Sequence, residues 1–83
     1  MDRYALQNRR LEVASAIRYW RSIRGFTQSE LAEKFGVPQS WVSNIESGAR
    51  RLDIVEAEEV CQILGISVSQ LLIPQGDKLD EGI

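Results

Sequence analysis

Two apolar-patterned stretches, each too short to stand alone, lie only three residues apart, and this spacing limits the possible folds more than anything else in the sequence. Leu31, Ala32 and Phe35 mark the apolar side of the first stretch, and Val42 and Ile45 that of the second. The spacings of three and four follow the helical period. Between them stand Gly36, Val37 and Pro38. Gly36 enters left-handed backbone at little cost and so stops the first helix after about two turns. Pro38 is tolerated at or just before a first helical position, where its missing N–H is not needed. So short a connection cannot fold two helices back as an antiparallel hairpin, so they must turn sharply against each other.

The rest of the chain reads as helix too. From about Asn8 to Arg24, Leu11, Val13, Ala14, Ile17 and Trp20 form one stripe, with Ile23 a candidate to extend it, closed by Gly25. Thr27-Gln28-Ser29-Glu30, Asp53-Ile54-Val55-Glu56 and Ser67-Val68-Ser69-Gln70 are capping boxes, in which the first residue accepts from the backbone three residues on and the fourth reaches back. They open helices running to Phe35, to Leu64 (with Val60, Ile63 and Leu64 apolar) and to Leu72. A further helix spans Gln39 to Ser47. No alternating β-branched run or Asn-Gly hairpin signal is present. The pattern predicts an all-α chain, a compact five-helix bundle over residues 1–73, followed by a polar C-terminal tail at 74–83 that reads as frayed.

With 83 residues, the chain has room for one small domain. There is no histidine and a single cysteine, which leaves no Ser-His-Asp or Cys-His machinery and almost nothing for a zinc site. No metal, no cofactor and no enzymatic activity are expected. Cys61, one turn from Ala57 and Leu64, reads as a buried inert thiol, with a redox switch as the alternative. No apolar run is long enough to span a bilayer and no signal sequence precedes the first helix, so a cytoplasmic location is expected.

The net charge of −2 conceals a division. Residues 1–51 carry nine Lys and Arg against five Asp and Glu, a net +4. Residues 52–83 carry one Lys against seven Asp and Glu, a net −6. Such asymmetry suits two faces with different partners. Glu56, Glu58 and Glu59 read as a solvated face, or as charge that keeps this half away from a polyanion.

At about 100° per residue, the helix from Gln39 to Ser47 buries Val42 and Ile45 on one side. On the other it presents Gln39, Ser40, Ser43, Asn44 and Ser47. Surface helices ordinarily display Lys and Glu, whereas an uncharged face of amides and hydroxyls suits base edges, amides pairing with adenine and hydroxyls being permissive. Short polar residues are also common on solvated faces, and the face alone does not separate the two readings.

Three stretches together carry a family resemblance: R-x-x-x-G-F-T-Q-S-E-L-A-E-K-F-G-V at 21–37, Q-S-W-V-S-N-I-E-S-G at 39–48 and L-G-I-S-V-S-Q-L-L at 64–72. From Ile17 to Leu72 the chain resembles the lambda-repressor/Cro-like helix-turn-helix domain, the XRE family. The resemblance implies five helices, sequence-specific binding of double-stranded DNA, usually as a dimer, and a role in transcription control. It implies that Gln28, with Thr27 beside it, holds a phosphate, and the N–H groups and dipole of a helix N-terminus support that. It places Gln39, Ser40 and Asn44 at base-reading positions, with Ser43 on the same face. Ser47 matches a backbone-contacting position, and Arg50 and Arg51 in the loop behind it are natural phosphate partners. Arg21 and Glu46 match a structural ion pair linking the first helix to the third. Pro38 departs from the pattern, since it stands where Ser or Thr often caps the helix. Trp41 lies beside the polar face, where it can stack on sugar, touch a thymine methyl, pack against a neighbour or cap the core edge. The chain leaves little room for a separate sensor domain.

The reading is a transcription regulator acting as a homodimer on a pseudo-palindromic operator. One short helix reads too few base pairs to find a unique site, and a two-fold axis doubles the readout. Leu71, Leu72 and Ile73 are the expected dimer surface, being more apolar residues than one short helix buries, although all three could instead fill the core. The alternative is an antitoxin-type protein that binds a toxin through its acidic part and represses its operon through the same helices. Neither reading involves a membrane.

Overall fold

The computed structural model describes residues 2–73. Five helices follow in order: α1 (Arg3–Ile23), α2 (Gln28–Phe35), α3 (Gln39–Ser47), α4 (Ile54–Leu64) and α5 (Val68–Leu72). The described residues contain no strand and no helix long and apolar enough to cross a membrane. The tail expected at 74–83 lies outside the described residues.

The local signals determine where the helices begin. Thr27, Asp53 and Ser67 each accept from a backbone N–H three residues on, and Glu30, Glu56 and Gln70 reach back to close the boxes. α3 starts at Pro38 with no side-chain cap. Gly36 sits at φ 83° and donates to Ala32 and Glu33, while Val37 N–H also reaches Ala32 O at 3.0 Å. These bonds complete the last turn of α2 and send the chain directly into α3.

α1 begins five residues earlier than its apolar stripe predicts. Asp2 caps it by accepting from Ala5 N–H at 2.8 Å, so the first turns form with Tyr4 and Leu6 exposed. The stripe itself is shifted: Ala14, Ala16, Ile17 and Trp20 are buried, whereas Ile23 is exposed and Leu11 is 41% exposed. Leu11 still has a packing role. A Cβ placed on Gly48 would stand 2.7 Å from its Cδ2, so Leu11 lies over the bare backbone at the end of α3.

The core joins Ile17 of α1, Leu31 of α2, Val42 and Ile45 of α3, Val60, Cys61 and Leu64 of α4, and Leu71 of α5. Burial pushes the Cys61 thiol above its ordinary pKa, consistent with an inert core residue. Arg24, just past α1, donates from Nε to Leu64 O at 2.7 Å and from Nη2 to Gly65 O at 3.3 Å. A cation thus meets the carbonyl end of α4, where the helix dipole is negative.

The apolar run of α5 divides differently from expectation. Leu71 is 1% exposed and belongs to the chain's own core, so it is not an outward-facing residue. Leu72 and Ile73, each 46% exposed, carry the outward apolar surface. In this five-residue helix, capped at Ser67, Val68 packs against the edge of the core and Leu71, three residues on, is the one side chain fully buried in it. Truncation should separate the two environments. In urea denaturation, Leu71→Ala is expected to lose about 2–5 kcal/mol, and Leu72→Ala less than about 1 kcal/mol.

Candidate nucleic-acid interface

The sharp turn between α2 and α3 brings their first turns together, and a part-buried ion pair fixes the two helices to α1. Arg21 donates from Nε to Glu46 Oε2 at 2.6 Å and from Nη2 to Oε1 at 3.1 Å, the two-point geometry that suits a guanidinium and a carboxylate. Its Nη1 donates to Phe26 O at 2.8 Å, holding the α1–α2 connection. The side chains are 13% and 4% exposed, so the expected structural pair is present and well shielded from water.

Gln28, the first residue of α2, joins this pair. Its Nε2 donates to Glu46 Oε1 at 3.0 Å, and its Oε1 accepts from Gln39 Nε2 at 3.4 Å. Ser29 Oγ donates to Gln39 Oε1 at 2.9 Å. Gln28 is therefore a bridge between the ion pair and α3, as well as a residue at a helix N-terminus. Thr27 is exposed, and its hydroxyl is engaged in capping α2. The Thr27 backbone N–H, first of all, lowers the Glu30 carboxyl below its ordinary pKa.

Ser40, Ser43 and Asn44 are exposed on α3, on the side away from buried Val42 and Ile45. Ser47 Oγ donates to Asn44 O at 3.2 Å and accepts weakly from Ala49 N–H at 3.4 Å, tying the end of α3 to the loop. The outward face is thus short and uncharged, and it projects from a framework held by hydrogen bonds at both ends.

The two arginines of the loop after α3, both expected at phosphate, stand in different surroundings. Arg50 donates from Nη1 and Nη2 to Glu56, both at 3.0 Å, and from Nη1 to Arg51 O at 2.9 Å. Glu56 is therefore more than part of a solvated face, since one carboxylate closes the α4 capping box and clamps Arg50. The Arg50 bond lowers the Glu56 pKa and the Asp53 backbone adds to it, while Glu56 raises the pKa of Arg50. Glu58 and Glu59 are exposed. Arg51 is exposed and makes no ion pair among the described residues.

Trp41 is half-buried. Its ring stacks on Phe35 at 4.5 Å between centroids, and the Arg50 guanidinium lies 4.8 Å from its centroid. The indole joins the helix pair to the loop at the core edge. The Ser29 contact to Gln39 and the Arg50–Glu56 clamp are not expected from the sequence pattern. A hydroxyl one residue after Gln28, and an Arg six residues before a boxed Glu, were the available signals.

A family model described as helix-turn-helix matches residues 17–71. A transcription factor of Neisseria meningitidis, described as hypothetical, is 30% identical over 73 residues, 88% of this chain and 69% of its own length. The solved structure of a Neisseria hypothetical transcription factor superposes with a TM-score of 0.79, covering 89% of this chain and 85% of that one. The transcriptional regulator SinR of Bacillus subtilis is 36% identical over 61 residues, 72% of this chain and 55% of SinR. A SinR structure in complex with DNA, 37% identical, superposes with a TM-score of 0.67 over 74% of this chain and 98% of that one. Antitoxin HipB of Escherichia coli K12 is 33% identical over 58 residues, 70% of this chain and 66% of HipB. The match therefore spans less than two thirds of SinR and of HipB.

Removing one member of this part-buried pair tests the framework. Glu46→Ala leaves the Arg21 guanidinium without its carboxylate and frees Gln28; full burial would cost about 3–5 kcal/mol, and for this part-buried pair the expected loss in chemical denaturation lies below that range and above about 0.5 kcal/mol. A loss below about 0.5 kcal/mol would place the pair in the class of surface contacts.

Proposed function

The chain belongs to the helix-turn-helix family of DNA-binding transcription regulators, of the lambda-repressor/Cro-like (XRE) type, and we propose that it is a cytoplasmic, sequence-specific regulator that binds a pseudo-palindromic operator as a homodimer. The observation that carries this reading is the uncharged outer face of α3, braced at its first turn by Ser29 and Gln28 and at its end by Ser47. In this reading Gln39, Ser40, Ser43 and Asn44 meet base edges in the major groove. Gln28 and Thr27, with the first N–H groups of α2, meet phosphate. Ser47 and Arg51 meet the backbone on the other side. Arg50 supports the loop through Glu56 and adds its charge to the field, and Trp41 braces the flank.

Selection of bound duplexes from a random pool at stated salt tests the reading directly. Asn44→Ala is expected to relax preference at one or two base pairs by about 1–3 kcal/mol each. Arg51→Ala is expected to weaken binding alike on all sequences and make the salt slope shallower by about 1. Equal weakening on selected and random duplexes by Asn44→Ala would make Asn44 a positioning residue.

Leu72 and Ile73 support the dimer, since they leave apolar surface outside the monomer core beside an acidic α4 that DNA repels. The similarity to antitoxin HipB favours a second reading, in which this half of the chain also holds a toxin. The mass in solution of the protein expressed with its neighbouring genes separates the two. Two copies of the 9.4 kDa chain support the homodimer, and a heavier complex with another polypeptide supports the second reading. Ile73→Asp is expected to return the homodimer to monomer with its helical content unchanged.

A further inference from the structure

Glu46, Gln28, Gln39 and Ser29 form a chain of hydrogen bonds whose direction is set from one end. A carboxylate offers acceptors alone. Gln28 therefore turns its Nε2 toward Glu46, at 3.0 Å, and leaves its carbonyl oxygen for Gln39. Gln39 answers with its own Nε2, at 3.4 Å, which carries its Oε1 to the other side. There the Ser29 hydroxyl donates to it at 2.9 Å. The terminal torsion of a free glutamine is broad and two-fold, so an unheld amide exchanges its oxygen and nitrogen ends readily. Glu46, acting through Gln28, sets which end is which. The 3.4 Å bond is too long to hold the amide by itself, and the shorter bond from Ser29 supplies the grip.

We propose that Ser29 is a specificity-determining positioning residue, which locks the amide of Gln39 in one orientation for base readout. The inference rests on α3 being the base-reading helix. After its two internal bonds, Gln39 keeps one Nε2 hydrogen and one Oε1 lone pair, a donor and an acceptor in fixed order. That pair matches N7 and the N6 amino group of adenine. The fixed order favours adenine on one strand over adenine on the other, so the contact tells A·T from T·A.

The test uses the full chain and the duplex selected by the wild-type protein. The base pair whose preference is lost in Gln39→Ala belongs to Gln39. At that pair, Ser29→Ala is expected to lower the preference about threefold to tenfold, the net worth of one hydrogen bond, and Ser29→Thr, which keeps the hydroxyl, to retain it. With Gln39→Ala already present, Ser29→Ala should change nothing further. In the free protein, the side-chain amide resonances of Gln39 should move in Ser29→Ala and stay in Ser29→Thr. Full preference in Ser29→Ala, or an equal loss with and without Gln39, overturns the proposal. Gln39→Ala without effect at any base pair removes the base-reading assignment and this role with it, and the free-protein resonances then report separately whether Ser29 grips Gln39.

Discussion

The architecture depends on one guanidinium. Arg21 makes two bonds to Glu46 and one to the carbonyl of Phe26, which ties α1, the α1–α2 connection and α3 to a single planar group. α2 and α3 are eight and nine residues long and could not persist alone in water. Core packing of Leu31, Ala32, Val42 and Ile45 holds their inner faces. Packing alone leaves some freedom for α3 to roll, because aliphatic contacts are not directional. The fork between Arg21 and Glu46 removes that freedom, and with it the orientation of every outward residue on α3 is set.

The second half of the chain is fastened by the same chemistry. Arg24 holds the carbonyl end of α4, Arg50 holds the carboxylate at its start, and Arg9 reaches Leu72 O at 3.2 Å at the end of α5. Three arginines from the basic half therefore each grip the acidic half. The charge division seen along the sequence serves internal fastening as well as the outer surface, and much of the apparent basic excess is engaged within the fold.

What the sequence revealed depended on how local each signal was. The capping boxes at Thr27, Asp53 and Ser67 span four residues each and were legible outright. So were the sharp turn at Gly36–Pro38 and the two faces of α3, which follow from a short count of helical positions. The start of α1 was missed because apolar periodicity marked only the packed part, while Asp2 caps turns whose side chains face water. Leu71, Leu72 and Ile73 look alike in sequence, and only the fixed phase of α5 separates the buried one from the exposed two. Arg50 and Arg51 are likewise equivalent on paper. The carboxylate of Glu56 selects between them, a choice made by the path of the loop. The Arg21–Glu46 link spans 25 residues and was legible only through family resemblance.

The braced first turn of α3 has a consequence for the thermodynamics of association. A glutamine side chain ordinarily loses on the order of 1.5–2 kcal/mol of rotamer entropy when it is immobilised. Gln39 is already held in the free chain, chiefly by Ser29 with a longer contact to Gln28, so that loss falls within folding. The rest of the outer face is built from serines and one asparagine, whose short side chains have few rotamers to surrender. Little ordering remains to oppose association at this surface, and its complexes should form with a small conformational-entropy cost.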